Sequence, residues 1–312
     1  MWNTSVRNFF VVILNLASII LSSAHEDPKT LVSSLTHDID HILLGEDLSS
    51  LDANKKNKLA DLYLSRAREL LILGERKQSY VDLIKYTEIL PNIYTGWNEL
   101  ARIEQDPTKR AKYLEKALKL ASLNDEKSEV YQALAEHSYT AENFQKALFY
   151  CERSLSLVKG EKMSKILFKN HLLWRLRNFD ERVRFLTKEL KANSSEVLRQ
   201  ALIDAQIDAG EGEKVKQIIY KEIAEARFRS SWLIRAARCE KRGSEQSKQY
   251  AQFAIDEILQ RLHPDRPDIT LKMDLVQAYA LLQDKKAQEY LDQIPDVEYT
   301  RWRKAELTFT LK

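Results

Sequence analysis

The sequence predicts an all-α fold: a right-handed solenoid of about six to seven antiparallel helix pairs. Three observations carry that prediction. Tyr63, Trp97 and Tyr131 recur at about 34-residue intervals, each followed four positions later by Ala67, Ala101 or Ala135, and a period of that length belongs to stacked helical hairpins. The 312 residues are 44% hydrophobic and 30% charged, the mixture expected of amphipathic helices that each wet one face. Seven Gly and six Pro are too few for a chain of many tight β-turns and enough for helices joined by short loops.

In chain order, the first segment is set apart from the rest. Arg7 precedes an apolar run from Phe9 to Leu21, and Ser22-Ser23-Ala24 places small residues where a signal peptidase reads. The run is of signal-peptide length and short of a membrane span. Residues 1–24 are therefore expected to be a signal peptide cleaved after Ala24, which makes the protein secreted or periplasmic and ties it to a membrane only if the segment is retained. Residues 25–57 follow as a capping helix, with Leu31, Val32, Leu35, Ile39, Ile42 and Leu43 in helical register, and a polar connection from Gly45 to Asn57. From 58 to 312 the chain reads as one helical-repeat domain. Its first helix A runs from about Lys58 to Leu73, and Gly74-Glu75-Arg76 turns the chain. Helix B then runs from about Gln78 to Leu90 and stops at Pro91, which cannot continue a helix.

The register Tyr63, Ala67, Gly74, Pro91 resembles the tetratricopeptide repeat (TPR) family. That family carries a large residue early in helix A, a small one four later, Gly at the turn and Pro after helix B. The second unit offers Trp97, Leu100, Ala101 and Ala117, with a shortened turn at Asp106-Pro107. The third, with Tyr131, Leu134, Ala135, Phe144, Ala147 and Leu148, is the closest match. Later units depart further: Asn178-Phe179 turns a fourth in which Arg182 stands where the family prefers Ala, Gly210 turns a fifth, and Trp232, Ala236 and Gly243 mark a sixth. Asp268 to Ile294 supplies a seventh, and Tyr299 to Lys312 a C-terminal cap. Such hairpins cannot bury their apolar faces alone; each needs a neighbour, and the array needs its ends covered.

The resemblance implies a non-catalytic scaffold or adaptor for protein–protein interaction, similar to secreted TPR proteins of bacteria with two membranes. It also implies a peptide or partner protein held on the concave face lined by helix A. By register the inward positions are Leu64, Arg68, Asn98, Arg102, Gln132, Glu136 and Tyr139, with His171 and Trp174 in the fourth unit. The lysine–asparagine clamp that chaperone-binding members of the family share is not seen at these positions. Arg68 and Arg102 still suit an acidic peptide, because guanidinium pairs bidentately with carboxylate.

Enzymatic readings find little to stand on. No Gly-x-Ser-x-Gly elbow or Gly-rich phosphate loop occurs. No cofactor is expected. His37 and His41, four apart on one helix face, form with His25 the one candidate metal site, yet they lack the intervening glutamate base of a zinc protease. Cys151 and Cys239 fall at core positions in distant repeats and are expected to be free, buried thiols. The alternative to a peptide groove is a polyanion-binding module in the second half, where 159–191 and 214–248 each hold ten basic against four acidic side chains. Trp174, Phe228 and Trp232 are interleaved there. The net charge of +3 does not favour a nucleic-acid partner.

Overall fold

The computed structural model describes residues 27–44, 46–160, 162–263 and 268–295, together with Lys304, Leu307 and Thr308. The signal segment, His25, Gly45, Pro264-Asp265 and most of Tyr299–Lys312 lie outside the described residues. Among the described residues there are fifteen α-helices and no strand. They form seven hairpins behind one leading helix, the all-α repeat predicted from the sequence. The chain divides into two compact units, 1–169 and 170–312.

The first unit opens with α1 (Pro28–Ile42), followed by α2 (Ala53–Ile72) and α3 (Arg76–Ile89), α4 (Tyr94–Ile103) and α5 (Pro107–Leu120), and α6 (Asn124–Thr140) and α7 (Phe144–Leu157). α8 (Met163–Arg175) contains the division between the units. α2 starts at Ala53, ahead of the Lys58 that periodicity suggests, because Asp52 accepts a hydrogen bond from the Lys55 amide at 2.8 Å and caps the helix N-terminus. Asp106 caps α5 in the same way through Thr108 and Lys109, and Pro107 stands at the first helical position, where its missing N–H costs nothing. That cap is how the shortened second unit turns without glycine.

α1 covers the outer flank of the first hairpin, packing Ile39 against Leu59, Ala60, Tyr63 and Tyr86. Ala67 meets Leu83 and Leu100 between hairpins one and two, and Ala101 meets Val130 and Leu134 between two and three. Ala67, Ala135 and Ala147 are fully buried, so the small positions of the repeat are points of close helix approach. The A-helix aromatics lean on the B helices: Trp97 on Tyr113 with ring centroids 5.9 Å apart, and Tyr131 on Tyr150 at 6.1 Å. Trp97 also donates its indole N–H to the Pro91 carbonyl at 2.9 Å, which uses the proline that ends α3.

Gly74 turns from α2 to α3 at φ +80°, a left-handed conformation that glycine adopts without cost. Gly210 and Gly243 fill the same slot in later hairpins, while Glu142, Arg177 and Gln283 hold it in three more. Gly96 is required for another reason. A Cβ there would lie 2.4 Å from the Tyr86 ring and 2.7 Å from Thr87 Cγ2. Gly96→Ala is therefore expected to lose about 1–3 kcal/mol by overpacking, read as a lower urea midpoint with unchanged slope.

The second unit continues from α8 with α9 (Phe179–Ala192), then α10 (Glu196–Asp208) and α11 (Gly212–Glu225), α12 (Ser230–Cys239) and α13 (Glu245–Arg261), and α14 (Ile269–Leu281) and α15 (Lys286–Asp292). Its core runs from Ile203, Val215, Ile219 and Trp232 to Ile234, Ile255, Ile258 and Leu275. Glu257 on α13 caps α12 from outside, accepting from the Arg229 and Ser230 amides. At the far end Leu307 packs on Val276, Leu291 and Ile294, the apolar surface that a last hairpin would otherwise leave wet.

Candidate functional site

The A helices of the first unit lie side by side. Arg68 on α2 reaches Glu99 on α4, and Tyr94 on α4 donates its hydroxyl to Glu129 on α6 at 3.1 Å. Along the face these helices share, most of the register-predicted positions come together. Arg68 donates to Glu99 Oε1 through Nη2 at 2.9 Å and Nε at 3.3 Å. Arg102 approaches Glu99 Oε2 through Nη1 at 3.5 Å. The two guanidinium side chains are 54% and 61% exposed while Glu99 is only 13% exposed. One half-buried carboxylate therefore orients two exposed cations. Asn98, one turn before Arg102, has its side-chain carbonyl buried without a hydrogen-bond donor, and so does Gln132 on α6. Gln132 uses its amide N–H₂ to hold Glu136 at 2.9 Å.

The remaining predicted positions are placed differently. Leu64 is half-buried, packed between the first two cores. Tyr139 sits edge-on to Phe144 at 5.3 Å and to Phe168 at 5.9 Å, so its ring helps fill the core below the face. His171 and Trp174 belong to the second unit; His171 is buried and stacks on Trp174 with centroids 5.8 Å apart.

Sequence reasoning missed the way the second unit spends its arginines. Arg182 is buried and donates to Asn170 Oδ1 at 2.7 Å and to Asp208 Oδ2 at 2.5 Å. Arg238 bridges Asp208 and Asp204 at 2.7 and 2.6 Å, and Arg235 reaches Asp204 at 2.9 Å. The paired aspartates hold the Arg238 guanidinium above its ordinary range in spite of burial. Trp232 lies between Arg235, 4.8 Å from its ring centre, and Arg199, which itself bonds Glu196 and Glu222. Of the other cations in the basic stretches, Arg229 pairs with Glu257, Lys169 with Glu152, Arg184 with Glu181, and Lys216 with Glu213 and Glu240. Much of the apparent basic face is thus neutralised by its own neighbours. The spacing held a clue: Asp204 and Asp208 are one helical turn apart, and Arg235 and Arg238 follow about one repeat later.

His37 and His41 are exposed on α1. Among the described residues no three His, Cys, Asp or Glu side chains are gathered as a metal would need. Cys151 and Cys239 are both free; Cys151 is fully buried, which pushes its thiol up to about 12, whereas Cys239 is only half-buried. Among the described residues no helix is long and apolar enough to cross a membrane.

No family model matches the chain, and no curated protein matches it. Solved structures do. A tetratricopeptide repeat protein from Parabacteroides merdae superposes with a TM-score of 0.56 at 14% identity, covering 81% of this chain and 98% of that one. Yeast Tom70 aligns over 89% of this chain and 58% of its own length at 19% identity, with a TM-score of 0.48. At such identities the likeness speaks for the fold, and the first of the two carries it.

Proposed function

We propose that this chain, which has the tetratricopeptide-repeat fold, is an exported, non-catalytic scaffold that holds an extended segment of a partner protein against the A-helix face of its first unit. The observation that supports this reading most is the Arg68–Glu99–Arg102 arrangement, in which two largely exposed guanidinium groups share one carboxylate. Their remaining N–H donors suit an acidic side chain or a terminal carboxylate of the partner. Rigid presentation is the mechanism: many weak contacts spread along one helix-lined face, with little reordering of the scaffold on binding. The sequence motif at Ser22-Ser23-Ala24 supports export.

Two measurements test it. N-terminal sequencing of the protein recovered from an exporting cell is expected to begin at His25; a product retaining Met1 in the cytosol would remove export from the proposal. An array of extended acidic peptides is expected to bind the purified chain, and Arg68→Glu/Arg102→Glu to weaken that binding by at least about tenfold, since two attractive pairs become repulsive. Equal binding by the variant would mean that the partner lies elsewhere.

A further inference from the structure

The same face carries charge of the opposite sign one hairpin further on. Glu136 lies at the position on α6 that Arg102 holds on α4, and it is exposed. Glu129, on the same helix, is exposed too and receives the Tyr94 hydroxyl at 3.1 Å. Glu136 also takes the Gln132 amide at 2.9 Å, and both carboxylates act on Lys165 of α8, whose ammonium burial draws down while Glu136 and Glu129 pull it back up. Asp61 is exposed toward the other end of α2 from Arg68. The face therefore runs from a cationic pair across α2 and α4 to an anionic pair on α6. α4 and α6 are in contact through Ala101, Val130 and Leu134.

We infer that the face recognises a partner segment bearing an acidic and a basic side chain about three residues apart, the acid on Arg68 and Arg102 and the base on Glu136. This deepens the peptide-binding reading above and rests on it. The spacing follows from geometry. Neighbouring helix axes stand about 8–10 Å apart, and a segment in the polyproline II conformation advances about 3.1 Å per residue and returns a side chain to the same side every third residue, so a segment crossing from α4 to α6 spends about three residues on the step and turns both charges toward the face. A segment with two acids would meet repulsion at Glu136, and one with two bases would meet it at Arg102. Opposite charges at the wrong gap would satisfy one end only.

The test uses the purified chain and capped, fluorescent ten-residue peptides on a neutral background, each with one Glu and one Lys separated by zero to five residues. Acid-only and base-only peptides serve as controls. Affinity is expected to peak at a gap of two intervening residues and to exceed both controls by about tenfold. Glu136→Lys should transfer the preference to peptides with two acids, and Arg102→Glu to peptides with two bases. Both positions are exposed, and retained helicity and melting temperature confirm folding. Binding that is weakened by Arg68→Glu/Arg102→Glu but shows no preferred gap, or no transfer by the single charge-reversal variants, overturns this inference and leaves the peptide-binding reading in place. No binding of any peptide overturns both.

Discussion

Arg182→Ala is expected to lower stability by about 3–5 kcal/mol, the combined cost of a void in the core and of a buried Asn170 carbonyl left without its donor. Arg182 occupies the slot that Ala147 holds in the preceding hairpin, and both side chains are buried. A guanidinium fits there because α8 offers Asn170 Oδ1 at 2.7 Å and α10 offers Asp208 at 2.5 Å. Truncation leaves a void and removes one cation from an aspartate that Arg238 alone then serves. The double variant Asn170→Ala/Arg182→Ala restores small residues on both sides of the contact. It is expected to lose less than the sum of the single changes, because neither buried amide nor guanidinium is then left to desolvate unpaired. Urea unfolding of the four proteins closes the cycle. Hydrogen exchange should place the lost protection in α8 to α10; a loss confined to the first unit, or a strictly additive cycle, would mean the side chains do not act together.

That pair also marks where reading the sequence stops. Tyr63, Trp97 and Tyr131 with their alanines reveal the first three hairpins because a small residue at a close helix contact is a local requirement, visible at fixed spacing. Arg182 in an alanine slot is visible as a departure, yet nothing nearby in sequence says that Asn170 faces it or that Asp208, in the next hairpin, completes it. The candidate face divides the same way. Register alone puts Arg68, Asn98, Arg102, Gln132 and Glu136 on helices that lie together. It does not find Glu99, which sits between the arginines and sets their geometry. Composition misleads more in the second half, since ten basic residues per stretch describe a charge count, while Asp204, Asp208 and Glu257 decide how much of it is available. The division between Lys169 and Asn170 falls inside α8, with no glycine- or proline-rich linker to announce it.

Arg66→Ala is the second large loss expected, again about 3–5 kcal/mol, and it should be felt in two elements at once. Arg66 on α2 forks onto Asp82 of α3 through Nε and Nη2 at 2.8 and 2.7 Å, and Asp82 is buried. Its third nitrogen donates to Thr36 Oγ1 on α1 at 3.1 Å. One side chain thus closes the first hairpin and pins the leading helix over it. Without it the Asp82 carboxylate is buried without its guanidinium, a far larger penalty than the loss of an exposed pair such as Lys55–Glu46, which water and salt screen. Arg66→Lys keeps the charge and forfeits the two-pronged geometry, so an intermediate loss is expected. Arg66→Met/Asp82→Leu removes both charges and should recover most of the hairpin's stability. It cannot replace the bond to Thr36. Protease sensitivity of α1 should therefore rise in every Arg66 variant, including the one whose hairpin is restored. If α1 stays protected there, Ile39 and its apolar neighbours hold the leading helix without help from the arginine.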